Sequence, residues 1–162
     1  LDIEKILFEM IKYFKTDVRR INHAIKVLSF ARLIGKMEGL DDSKQQILEI
    51  AAILHDIGIK VCEQKYGSTA GHLQEIEGPE VAKSILDGFD IDQKTLERIL
   101  FLIGNHHSYH KIDDIDFQIL VEADFIVNIY EDEMSKEAIK QVKEKYFKTK
   151  TGTALLKTMF EV

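Results

Sequence analysis

The chain has 162 residues, 45% of them apolar, which is enough for one globular domain with a sizeable core and too apolar for a disordered polymer. Its formal net charge of −6 argues against a broad cationic surface for duplex nucleic acid, while a small anionic substrate stays possible because a bound metal reverses the sign of a site locally. A single cysteine, Cys62, excludes an intrachain disulfide and suits a reducing cytoplasm, and a single proline leaves long helices uninterrupted.

Ile3, Leu7, Met10, Ile11 and Phe14 recur at helical spacing and predict a first helix. Thr16 or Asp17 can cap a second, carrying Val18, Ile21, Ile25, Leu28 and Ile34 and ending between Gly35 and Gly39. Asp42 and Ser43 open a third, with Ile47, Leu48, Ala51 and Leu54 inside it and Gly58 as its stop. From 60 to 78 the periodicity breaks around Gly67-Ser68-Thr69-Ala70-Gly71, which predicts a long loop able to act as a lid. Pro79 suits the first turn of the following helix, which carries Val81, Ala82, Ile85 and Leu86. Asp92 caps a helix with Leu96, Ile99, Leu100 and Ile103. A polar connection at 110–116 leads to a helix over about 117–131. The stretch from about 135 to 160 reads as two short helices divided near 149–152.

No alternating strand pattern, repeat or linker appears. The expectation is an all-α, single-domain helical bundle, with its core at about 17–131 and a C-terminal helical extension at 135–162. No apolar run approaches the roughly 20 residues that span a bilayer, and the opening Leu1-Asp2-Ile3-Glu4-Lys5 lacks a signal-peptide pattern. A soluble, cytoplasmic protein with no membrane partner is expected.

The chemistry-bearing residues stand out by placement. His55 and Asp56 follow Ile50-Ala51-Ala52-Ile53-Leu54 at a helix end, where both can converge on one ion just off that end, or simply cap it. Asp124 has Leu120, Val121, Val127 and Asn128 as its helical neighbours; a carboxylate on that face calls for a metal or a buried cation. His23 lies at the edge of an apolar arc with Val27, Phe30 and Ile34, as a ligand or as a hydrogen-bonded boundary residue. His106 and His107 continue the apolar stripe of Ile99, Leu100 and Ile103, so both emerge from the core-facing side at the helix end, as ligands or with one of them as a structural cap. One His, a His-Asp pair, a His pair and an Asp, each on a different predicted helix beside an apolar face, are not the arrangement of incidental surface histidines.

In His23, the doublet His55-Asp56 and the distant Asp124, with Ala51-Ala52-Ile53-Leu54-His55-Asp56-Ile57-Gly58 around the doublet, the chain resembles the HD superfamily of metal-dependent phosphohydrolases from about 17 to 131. The resemblance implies a bundle of at least five helices with a metal at its centre, held by His23, His55, Asp56 and Asp124. It implies a divalent transition metal; the nitrogen and oxygen donors suit Fe, Mn, Co, Ni or Zn without choosing among them. Two-metal members add histidines placed like His106 and His107, and Glu77 is grouped with these as a second-metal or phosphate-binding residue. Such members also carry a His where this chain has Gln74, with His72 two residues early, so a second metal stays open; His72 is assigned to the substrate loop. Lys60 is the counterpart of a Lys that follows the doublet's glycine and, with Asp56, is assigned to catalysis. Single-metal nucleotidases of the family use an acidic residue where Ile59 stands, so their mechanism does not transfer.

The function implied is hydrolysis of a phosphate ester, of a nucleotide by preference, by metal-activated water, with Lys60, His106, His107 and Arg20 as candidates to steady the phosphoryl oxygens. The alternative is a non-catalytic HD domain that senses a nucleotide or metal and acts through a protein partner. The amphipathic C-terminal segment allows such a partner or a homodimer.

Overall fold

The computed structural model describes residues 1–162 as nine α-helices and one 3₁₀ turn: α1 (Ile3–Phe14), α2 (Val18–Met37), α3 (Asp42–Leu54), α4 (Ile59–Tyr66), α5 (Gly71–Leu86), α6 (Gln93–Asn105), the turn Tyr109–Lys111, α7 (Ile115–Glu131), α8 (Lys136–Tyr146) and α9 (Lys150–Phe160). Asp2, Asp17, Asp41, Asp92, Asp114, Ser135 and Thr149 each cap the helix that follows through a side-chain oxygen. The chain is all-helical and one domain, as the sequence predicts. No helix is long and apolar enough to cross a membrane.

At the centre lies α3, in which every residue from Ile47 to Leu54 is buried; it is covered by α1, α2, α6 and α7. One continuous cluster of 35 buried apolar residues joins all these helices and extends into α8 and α9 through Ile139, Val142, Phe147 and Leu156. The C-terminal pair is therefore part of the same core. Glu122 fastens it: this fully buried carboxylate on α7 accepts from the amides of Lys148 and Thr149, the Thr149 hydroxyl and the Gln118 amide. The same Thr149 oxygen accepts from the Gly152 amide to start α9.

Three expectations are corrected between residues 54 and 86. The long loop expected over 60–78 is mostly helix: α4 occupies Ile59–Tyr66, and α5 begins at Gly71. The inward positions of α5 are Gln74, Gly78, Ala82 and Leu86, so its first half buries no large apolar side chain and its helical spacing is invisible to a hydropathy reading. Pro79 stands well inside α5 and not in its first turn. It cannot donate to the Glu75 carbonyl, and α6 runs close by; a side chain on Gly104 would meet Pro79 Cγ at 3.1 Å and that carbonyl oxygen at 3.5 Å. Gly58 does not stop α3, which already ends at Leu54. Its φ of −77° needs no glycine. Instead, a Cβ there would lie 2.7 Å from the Gly78 amide nitrogen and 2.8 Å from Gly78 Cα, so two glycines let α5 approach the break after α3.

Candidate functional site

The end of the central helix sets the site. His55 follows Leu54 as the C-cap of α3, and a tight turn, with Ile57 N–H donating to Leu54 O and Ile59 N–H to Asp56 O, reverses into α4. The break lets adjacent residues aim inward together. His55 is wholly buried, and its Nε2 lies 3.4 Å from Asp56 Oδ2. From α2, His23 brings its Nε2 to 3.2 Å from His55 Nε2 and 3.3 Å from Asp56 Oδ2. From α7, Asp124 brings Oδ1 to 3.1 Å from His23 Nε2 and 3.3 Å from His55 Nε2. Three helices separated by up to about a hundred residues thus supply four donor atoms to one point.

The tautomers follow from the other ring nitrogens. His55 Nδ1–H donates to the Ala52 carbonyl at 2.7 Å, and His106 Nδ1–H donates to the Ile103 carbonyl at 2.8 Å. His23 Nδ1–H donates to Glu131 at 2.6 Å. Each partner only accepts, so each Nε2 of the neutral ring is left as a bare lone pair. In the neutral state His23 and His55 would point lone pairs at each other and at two carboxylates, so the cluster takes up either protons or a metal cation. His106 Nε2 is buried with no hydrogen-bond partner, 3.5 Å from Asp56 Oδ1. Asp56, His106 and His107 form a second group whose donor atoms lie within 4.8 Å of one another. His107 is pinned through its backbone: its N–H and the Ser108 hydroxyl both donate to Glu75.

Proton affinities are displaced accordingly. Burial disfavours the charged form of His55, but Asp56 and Asp124 outweigh it and raise its pKa to about 10. His23 is raised as well, against burial, by its hydrogen bond to Asp124. Burial opposes ionisation of Asp56 and Asp124, yet the facing histidines, His55 foremost, hold both well below the usual carboxylate range. His107 falls to about 4 because it is buried and stands beside His106. Nitrogen and oxygen donors in mutual contact, in a field that favours positive charge, fit a divalent metal.

Above the cluster opens a polar cavity of about 250 Å³, lined by Arg19, Arg20, His23, Asp56, Ile59, Thr69, Gln74, His107, Asp124, Asn128, Glu131 and Asp132. Arg20 bridges Asp17 and Glu63 at the edge. Gln74 lines this wall, its amide N–H₂ bound to the Thr69 carbonyl at 2.6 Å.

Three sequence assignments are corrected. Lys60 turns away: its Nζ donates to the Tyr13 carbonyl at 3.3 Å and lies 4.9 Å from that ring's centre, so it ties α4 to α1 and does not reach the cavity. Glu77 accepts from the Tyr66 hydroxyl at 3.0 Å and pairs with Lys65, outside the cavity lining, because its place on α5 faces α4. His72 is on the exposed side of the first turn of α5, a helix where a substrate loop was expected, and does not line the cavity. Arg19, Asn128 and Glu131 went unassigned. Their signal was present: Asn128 and Glu131 follow Asp124 by four and seven residues and share its face of α7, and Arg19 precedes His23 by four.

A family model of the HD domain matches residues 20–143. The crystal structure at 1.45 Å of a predicted HD superfamily hydrolase from an uncultured Thermotogales bacterium superposes with a TM-score of 0.70 and 25% identity, over 98% of this chain and 84% of that one. No curated protein matches. With the family match covering most of its length and the His-Asp cluster at the centre of the bundle, the chain belongs to the HD-domain superfamily of metal-dependent phosphohydrolases.

Proposed function

We propose that this protein hydrolyses a phosphate ester of a small molecule, a nucleotide by preference, with a divalent metal held by His23, His55, Asp56 and Asp124. The observation that carries the reading is the convergence of the imidazole Nε2 atoms of His23 and His55 with two carboxylates beneath a polar cavity that has two arginines on its wall. When bound, the metal supplies a Lewis acid for the phosphoryl oxygen and for water.

The chain's own residues do the rest. Glu131, Ala52 and Ile103 fix the ring orientations of His23, His55 and His106, so no reorganisation is needed at the moment of reaction. Asp56 is more exposed than Asp124, 18% against 10% of the side chain, and faces the cavity, so it is placed to orient a water on that side. Arg19 and Arg20 supply guanidinium donors to the phosphoryl oxygens. His106 and His107 are assigned to a second metal or to the phosphate, with neutral His107 as a donor or ligand rather than a cation.

The test is a panel of phosphomonoesters, phosphodiesters and nucleotides offered to protein stripped with chelator and reloaded with Mn²⁺, Fe²⁺, Co²⁺, Ni²⁺ or Zn²⁺. Turnover that disappears on chelation, returns with metal and is absent in Asp56→Ala supports the assignment. An Asp56→Ala protein with full metal content and full activity overturns it. Thermal stabilisation by nucleotides with no turnover of any ester favours instead a sensing domain that acts through a partner.

A further inference from the structure

His107 has two sides. One faces the polar cavity; the other lines a second, more open cleft of about 610 Å³. The cleft is built from Tyr109 in the 3₁₀ turn, Tyr146 at the end of α8, and Lys145 and Lys148 around the junction between α8 and α9. We propose that this cleft is the second half of the substrate site, and that it holds the body of a nucleotide carrying a phosphate beyond the one at the histidine cluster. This rests on the phosphohydrolase reading above and names the substrate class for it.

Charge is the first argument. The chain has 28 acidic and 22 basic residues, and the first cavity carries Asp56, Asp124, Glu131 and Asp132. The cleft has two lysines and two histidines in its lining and no carboxylate. Neither lysine ammonium is in an ion pair, so the positive charge of this lining is not cancelled locally. A basic patch left unneutralised on an acidic protein is suited to an anion.

Shape and chemistry add to it. The Tyr109 and Tyr146 rings lie 4.7 Å apart, and Tyr146 stacks on Phe125 at 5.1 Å with 16° between planes. Phe125 follows Asp124 directly on α7, so the aromatic wall is fixed to the helix that presents the cluster's carboxylate. Lys145 Nζ lies over the Tyr146 ring, 5.5 Å from its centre, so an aromatic surface and an ammonium group stand together, and a base meets that surface as the lysine turns to the attached phosphate. The first cavity, at about 250 Å³, is small for a whole nucleotide, whereas the cleft is of ordinary small-molecule size. The His107 imidazole lines both, so the cleft is adjacent to a phosphoryl group placed beside Asp56.

The experiment uses adenosine and uridine 3′,5′-bisphosphates as probes, glycerol phosphate as the ester without a base, and three variants: Lys145→Glu with Lys148→Glu, Lys145→Arg with Lys148→Arg, and Tyr146→Leu. Calorimetric binding of the bisphosphates to chelator-treated protein should weaken tenfold or more in the double Glu variant and severalfold in Tyr146→Leu, with the double Arg variant near wild type. In metal-loaded protein, the ratio of kcat/KM for bisphosphate over glycerol phosphate should fall at least tenfold in the double Glu variant. Binding unchanged by charge reversal, no bisphosphate binding by the wild type, or equal loss on both esters would overturn the cleft assignment. If no ester is turned over while charge reversal still abolishes binding, the hydrolase reading fails and the cleft stands. If esters are turned over and the variants are indifferent, the reverse holds.

Discussion

The Nδ1–H of His23 donates to Glu131 Oε1 across 2.6 Å, linking α2 to the last turn of α7. Lys26 also reaches Glu131, at 3.4 Å, so the carboxylate is held from two sides while it orients the ring. A carboxylate behind a ligand histidine fixes its tautomer and raises its basicity. Glu131→Ala should therefore lower metal affinity by about 10- to 100-fold in chelator competition while moving thermal stability little, and Glu131→Gln should recover part of the loss. Unchanged affinity in both variants would remove Glu131 from the site.

The metal-free protein should show an unusual pH dependence. His55 binds its proton more tightly when folded, near pKa 10, than when unfolded, near about 6.5. Its contribution to stability is complete below pH 6.5 and is lost as pH rises through 10. Asp56 and Asp124 are shifted down, so their contribution is present above about pH 4 and is lost in acid. Chelator-treated protein should melt at its highest temperature near pH 5 to 6.5 and at progressively lower ones toward pH 10. Metal-loaded protein should not follow that decline, because the ion replaces the protons and its affinity rises with pH. A metal-free melting temperature that climbs from pH 6.5 to 9 would contradict the cluster's electrostatics.

Gly58→Ala tests the close approach of α5. The new methyl group meets backbone at Gly78, which cannot rotate aside as a side chain can. A loss of about 1–3 kcal/mol is expected, or several degrees in melting temperature, measured by denaturant and thermal unfolding. Because the same turn carries His55 and Asp56, metal content should fall with it.

Lys60→Ala and Arg20→Ala separate two cations that look equivalent in sequence. Lys60 binds Tyr13, and its removal should leave kcat/KM within about twofold. Arg20 lines the cavity, and its removal should raise KM by roughly tenfold, the scale of one charge-assisted hydrogen bond. The opposite ranking in steady-state kinetics would restore Lys60 to the site.

Glu122→Ala should loosen the C-terminal helices. Its carboxylate satisfies four donors in a fully buried position, so its loss strands polar groups at a cost of about 3 kcal/mol. Hydrogen exchange should show α8 and α9 losing protection ahead of α2, α3 and α7; uniform loss would mean that Glu122 stabilises the bundle as a whole.

Helix starts were legible because a capping side chain bonds to an amide only two or three residues away. Asp17 and Asp92 announce α2 and α6 from local chemistry alone, whereas α3 is capped by Asp41, one residue before the expected Asp42-Ser43. The apolar periodicity of α1, α2, α3, α6 and α7 was likewise visible, as was the mismatch between Asp124 and its apolar neighbours. The pattern failed at α5, where the inward positions begin with Gln74 and Gly78: the reason that helix is buried is a backbone contact with Gly58, which no hydropathy pattern encodes.

The sequence by itself determined the helical class and most helix boundaries, since these rest on short-range spacing and residue type; it pointed to His23, His55, Asp56 and Asp124 as one set through their resemblance to a family pattern, each having a plainer reading when taken alone. Only the tertiary structure decided which cations face the cluster. It sends Lys60 to Tyr13, keeps Arg20 on the cavity wall and sets Glu131 behind His23. A long charged side chain follows the nearest acceptor in space, and that acceptor is chosen by how the helices cross, not by its position along the chain.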